Sequence, residues 1–102
     1  MRITIIPSDG FVSVDGIGYS GLDLSAIDSS VHAVQWYGEN GEVEVRDLLT
    51  RKMVENRNII SITEFQPALT AWQTAKDVAV AAEEASRIAA EQNLTQEETS
   101  LP

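Results

Sequence analysis

The sequence predicts an α+β fold: a small antiparallel β-sheet domain over residues 1–62, a meander plus a hairpin, followed by one long C-terminal α-helix. Three observations predict it. Ile, Val, Leu and aromatic residues dominate the apolar positions of the first part, and Ala dominates those of the second. Strand-like runs in the first part are broken by Gly-containing turns, whereas residues 67–92 contain no Gly and no Pro after Pro67. At 102 residues the chain holds one domain and has no room for two substantial cores.

Each element follows from local chemistry. Ile3, Ile5 and Ile6 form a β-branched run that Pro7 ends, and Ser8-Asp9-Gly10 is a turn. Phe11-Val12-Ser13-Val14 resumes a strand. Asp15-Gly16 is a two-residue hairpin signal, because a type I′ turn needs positive φ at both central residues. Ile17-Gly18-Tyr19 then returns antiparallel and completes the meander. Leu22, Leu24 and Ile27 are apolar anchors in a linker, expected to cover one open end of the core. Val31-His32-Ala33-Val34-Gln35-Trp36-Tyr37 is the clearest strand. After the turn at Gly38-Glu39-Asn40-Gly41, Glu42-Val43-Glu44-Val45-Arg46 alternates with period two, so Val43 and Val45 face inward and Glu42, Glu44 and Arg46 outward. Residues 47–58 are ambiguous. They read as a turn around residues 50–52 and a short strand near Met53-Val54, with Ile59, Ile60 and Ile62 as a last β-like run.

The helix is expected to start between Ser61 and Pro67. Both Ser61-Ile62-Thr63-Glu64 and Thr63-Glu64-Phe65-Gln66 fit a capping box, and Pro67 suits a first turn. Phe65, Leu69 and Trp72 are spaced to dock on the sheet, in one cluster with Val34, Val43, Val45 and either Trp36 or Tyr37. A helix over residues 67–92 would span about 39 Å, more than the sheet can cover, so its end should project. Beyond Val80 the apolar side chains are almost all Ala, which bury little area but permit close helix approach. Glu83 and Arg87 are placed to pair at i,i+4. Residues 93–102 lack periodicity and read as an acidic flexible tail.

Charge and composition exclude several functions. Acidic residues number 16 against 7 basic, a net charge of −9, which disfavours binding to phosphate backbones and anionic membranes. There is no Cys and one His, so thiol chemistry and multi-His metal sites are absent. No apolar run reaches the roughly 20 residues of a membrane span, and the N-terminus lacks a secretory pattern. Composition therefore suggests a soluble, cytoplasmically made protein.

Motifs for catalysis are weak. Asp9, Asp15, Asp23 and Asp28 suit turns and do not alternate as a Ca²⁺ loop requires. Glu42 and Glu44 share a strand face without a cleft. His32 near Ser29 and Ser30 invites a hydrolase reading, but no nucleophile elbow surrounds either serine. Gly16-Ile17-Gly18-Tyr19-Ser20-Gly21 has the letters of a dinucleotide motif but lies in a hairpin. Asn93-Leu94-Thr95 matches a glycosylation acceptor without its secretory context. The expectation is a protein that is not an enzyme and binds neither metal nor cofactor. Two candidate partner-binding surfaces stand out: the small-residue helix face of Ala79, Ala82, Ala85 and Ala89, and the basic cluster of Arg46, Arg51, Lys52 and Arg57, which could dock on an acidic partner or on this chain's own helix in another copy.

One resemblance adds to this. The stretch Val31-His32-Ala33-Val34-Gln35-Trp36-Tyr37-Gly38-Glu39-Asn40-Gly41-Glu42-Val43-Glu44 resembles small tailed-bacteriophage proteins found among tail and tail-fibre accessory proteins. So does Ile62-Thr63-Glu64-Phe65-Gln66-Pro67-Ala68-Leu69-Thr70-Ala71-Trp72, and the opening Asp-Gly turn with Gly21-Leu22-Asp23-Leu24-Ser25 is similar too. The resemblance covers most of residues 8–80 and none of its motifs is catalytic. It implies a small virion tail component associated with tail fibres, contacting other phage structural proteins and possessing the option of homo-oligomers. The alternative it implies is a transient tail-fibre assembly chaperone, acting in the host cytoplasm and absent from the mature virion, although the larger chaperones of that kind carry an extra domain lacking here. A small hydrolase using His32 is the distant third.

Overall fold

A computed structural model describes residues 1–100, with side chains described to residue 92. Six strands form one antiparallel sheet: β1 (Ile3–Ile6), β2 (Phe11–Val14), β3 (Ile17–Tyr19), β4 (Val31–Trp36), β5 (Gly41–Arg46) and β6 (Met53–Ile59). Their order is β3-β2-β1-β4-β5-β6. The sheet is thus two three-stranded meanders joined where β1 pairs with β4, Ile3 opposite Trp36 and Ile5 opposite Val34. A 3-10 turn, Thr63–Phe65, leads into the single helix α1 (Gln66–Ser100). The α+β expectation holds.

Register explains why one face is apolar. Residues opposed across a ladder share a face. The pairings Ile5–Val12, Ile5–Val34 and Val34–Val43, with Ile3–Val14 and Ile3–Trp36, put these side chains on one side. Ile3, Ile5, Val12, Val34 and Val43 are fully buried there. Thr4, Ser13, Gln35, Glu42 and Glu44 lie on the other side, partly exposed, and the Thr4 hydroxyl lies 2.8 Å from Gln35 Oε1. The Asp15-Gly16 turn has positive φ at both residues, 49° and 85°, as its hairpin requires. Gly10 is also left-handed at φ 59°, and a Cβ there would lie 2.6 Å from the Leu22 carbonyl oxygen. Only glycine fits both constraints.

The core is completed from outside the sheet. Leu24 and Ile27 are buried with Phe65, Ala68 and Trp72, while Leu22, Val45, Ile62, Leu69 and Ala71 pack half-buried against them. Trp36 joins the core; Tyr37 is exposed with the Arg2 guanidinium 5.3 Å from its ring centroid. The Trp72 Nε1–H donates to the Ile17 carbonyl at 2.8 Å, and its ring centroid lies 6.2 Å from that of Tyr19. The helix therefore docks over β2 and β3, at one edge of the sheet.

Several expectations are corrected. Residues 53–59 form one seven-residue strand, not a short strand near Met53-Val54 followed by a second run. Ile60 and Ile62 lie outside it, and Ile60 is exposed. Neither capping box forms. Ser61 Oγ accepts the Thr63 N–H at 3.2 Å, and the Glu64 carboxylate is held by Arg57 instead. Arg87 pairs not with Glu83 but with Glu84, one turn back at i,i+3, and lies 3.9 Å from Glu91. The helix also continues to Ser100, beyond the expected boundary at 92. No Gly or Pro interrupts the backbone of residues 93–100, so nothing there forces a stop. The rest of the expected tail, residues 101–102, lies outside the described residues. At 1.5 Å per residue, 35 residues span about 52 Å, and the molecule measures 73 × 30 × 17 Å.

Candidate functional site

Both register irregularities of the sheet lie at the same end. One falls between Val31 and Ala33, the other between Val45 and Arg46. A bulge leaves a residue unpaired and re-aims its side chain. The first leaves His32 unpaired on β4; the second leaves Val54 unpaired on β6, because Val45 pairs with Glu55 and Arg46 with Met53. His32 and the paired Arg46 line an open cleft of about 580 Å³ together with Asp47, Arg51, Ser25, Ser29 and Ser30. Volumes of this order suit a small ligand or a partner's side chains. Arg51 reaches the cleft because the β5–β6 turn bends back, with Arg51 at φ 63° and its N–H donating to the Asp47 carbonyl at 2.9 Å.

Acidic side chains near this end are tied up in their own loops. Asp47 Oδ1 accepts the N–H groups of Leu49 and Thr50 at 2.8 and 2.9 Å. These bonds favour the charged carboxylate and hold its pKa below the usual value, Thr50 contributing most. Asp28 Oδ1 accepts both the hydroxyl and the N–H of Ser30, at 2.7 and 2.8 Å, which lowers its pKa likewise. Asp23 is lowered by Ser25 in the same manner.

The basic side chains divide differently. Arg57 makes a two-point contact with Glu64, both bonds 3.0 Å, and this pair raises its pKa. Arg46, Arg51 and Lys52 have no acidic partner among the described residues, and the buried Nε of Arg46 has no hydrogen-bond partner. The cleft is also lined by the Asp47 carboxylate, but Arg46 and Arg51 make no ion pair among the described residues and can hold an anionic group, a carboxylate or phosphate. Of the four clustered bases, the structure brings Arg46 and Arg51 together in the cleft. Lys52 stands exposed beside Arg51 in sequence, and Arg57 lies apart on β6.

The remaining candidates are placed as follows. The Ser30 hydroxyl is engaged by Asp28, and the His32 side chain has no hydrogen-bond partner among the described residues, so no serine–histidine pair is assembled. Asp15 Oδ1 accepts the Arg2 N–H at 2.8 Å. Among the described residues no group of three or more His, Asp or Glu side chains could hold a metal ion, and no helix is long and apolar enough to cross a membrane.

On α1, Ala79 is half-buried at the end of the docked portion. Ala82, Ala85 and Ala89 lie beyond it, and every residue from 80 to 92 is exposed. The helix face singled out in the sequence is thus bare.

No family model, no curated protein and no solved structure matches the chain.

The cleft itself was not apparent from sequence. Its signal was the short spacing of Arg46, Asp47 and Arg51 across a turn, but the bulge that brings His32 to it carries no local signature.

Proposed function

We propose that the chain is a non-enzymatic structural or assembly protein of a tailed bacteriophage, a small tail component that associates with tail-fibre proteins through protein–protein contacts. The observation that supports it most is the exposed second half of α1. Residues 80–92 pack on nothing in their own chain, yet they present Ala82, Ala85 and Ala89 as a seam of small side chains suited to close helix approach. An isolated helix of this length is marginal in water, so the seam gains from a second helix. The resemblance of the Trp36–Glu44 hairpin and the Phe65–Trp72 helix start to phage tail proteins supplies the context. On this reading Arg46 and Arg51, which make no ion pair among the described residues, offer a second contact, to acidic side chains of the same assembly.

The test is co-purification with the products of neighbouring genes, wild type against the double variant Ala82→Gln/Ala89→Gln. Gln keeps helix propensity nearly unchanged but adds bulk to the seam. Loss of the complex with an unchanged far-ultraviolet spectrum is expected. Unchanged affinity overturns the seam. Mass spectrometry of purified virions then separates the tail component, present in the particle, from an assembly chaperone, absent from it.

A further inference from the structure

The outer edge of β6 is unpaired. β6 is the longest strand, seven residues, and it pairs with β5 on one side only. Its other side presents a row of backbone donors and acceptors, which natural edge strands cover, shorten, or guard with Lys and Pro. β6 contains neither Lys nor Pro, and its one bulge, at Val54, leaves residues 55–59 regular. Exposed apolar side chains gather on and beside it: Met53 at 54%, Val54 at 63% and, in the preceding loop, Leu49 at 94%.

Symmetry restricts what a second copy could do here. Two copies of one strand joined antiparallel in a continuous sheet are related by a two-fold axis perpendicular to the sheet. Each side chain then faces one on the same side of the sheet, so the axis must pass through a residue of the strand. Centring it on Glu55 sets Glu55 against itself, and centring it on Arg57 sets Arg57 against itself. Like charges directly opposed disfavour both. Centring it on Asn56, within the regular stretch 55–59 that follows the bulge at Val54, opposes no like charges. Glu55 then faces Arg57 of the second copy, twice. Glu55 and Arg57 do share a face, since they pair with Val45 and Val43 of β5. The register centred on Asn56 is therefore the charge-matched one. Arg57 keeps N–H donors for this contact while it holds Glu64, because a two-point contact leaves three of its five unused.

We infer that β6 is a self-association edge: two copies pair antiparallel through β6 about a two-fold axis at Asn56, joining two 6-stranded sheets into one. The occupant is a second copy of this chain. In that arrangement α1 of each copy sits over β2 and β3, ten strand spacings from its counterpart, or about 48 Å. Edge pairing thus leaves both projecting helices free, and its outcome is independent of the helix seam.

Charge reversal and crosslinking of the full chain test it, each variant first checked for a wild-type circular dichroism spectrum. Sedimentation equilibrium should show a concentration-dependent dimer. Glu55→Arg alone and Arg57→Glu alone should each weaken it about tenfold or more. Mixing the two should restore it as a heterodimer, because each Arg then meets a Glu. The chain has no Cys, so Asn56→Cys, on the axis, should form a disulfide-linked dimer under mild oxidation, whereas Val54→Cys, off the axis, should not. The crosslink stands on its own should Arg57→Glu misfold through loss of its Glu64 contact. A monomer at every concentration, equal crosslinking at both positions, or failure of the mixed variants to associate overturns the inference.

Discussion

Removing Trp72 should uncouple the helix from the sheet. Its ring is 7% exposed, packs near Tyr19, and donates to the carbonyl of Ile17, 55 residues earlier in the chain. A buried Trp withdraws about 200 Å² from water, worth about 5 kcal/mol at 25 cal/mol per Å². That figure is an upper bound, since an unfolded chain already shields part of its apolar surface. Trp72→Ala should therefore cost about 3–5 kcal/mol, a large share of the 5–15 kcal/mol that holds a domain of this size. Trp72→Phe isolates the polar contribution. It keeps most of the packing and removes one hydrogen bond, worth about 0.5–1.5 kcal/mol. The low end applies because Ile17 lies on an exposed edge strand, where water can reach the freed carbonyl. Urea unfolding followed by circular dichroism reads both values, with Trp36 fluorescence as a second probe of the sheet. If Trp72→Ala costs less than about 1 kcal/mol, the helix is not held by this side chain and the docking described above is wrong.

Gly10→Ala meets both a positive φ and a backbone oxygen 2.6 Å from the new Cβ; it should cost about 2–4 kcal/mol in a thermal melt, and a neutral result would mean the turn relaxes freely. The Asp47 carboxyl, held below its usual pKa by the N–H groups of Thr50 and Leu49, contributes stability that is present above the unfolded value near pH 3.9 and lost as pH falls through the native one. A carboxyl-detected NMR titration should place its midpoint below 3.9. Asp47→Asn, which keeps an acceptor oxygen but does not titrate, should shrink the acid-induced drop in urea midpoint. A midpoint at or above 3.9 would contradict the loop geometry.

Much of the fold is legible in the sequence because its signals are local. Asp15-Gly16 fixes a hairpin by backbone conformation alone, the alternation around Val43 and Val45 fixes a face, and Phe65, Leu69 and Trp72 announce a docked helix start. β6 is less legible because Glu55, Asn56, Arg57 and Asn58 are polar on both faces. α1 docks at the opposite edge and leaves most of β6 exposed, so β6 needs no apolar period, and only the ladder to β5 makes it a strand. The same ladder moves Arg57 away from Arg46 and Arg51, so a basic cluster in sequence becomes a pair in a cleft and a separate ion pair with Glu64. Ala33 shows the effect of the bulge: it is buried yet stands outside the main core, a position that counting by twos from Val31 does not give.

The docking of α1 on β2 and β3 has a consequence for synthesis on the ribosome. The hairpin that the helix covers is made first, and the Trp72 that covers it comes 55 residues after Ile17. At about 5–20 residues per second that interval is about 3–11 s. Throughout it Val12 and Val14 face outward on a strand with no lid. Contacts of such long sequence separation are also slow to close once the chain is free. The nascent chain therefore passes through a window in which its first-made apolar surface is open to chaperones or to other copies, and the window ends when the first turns of α1 emerge.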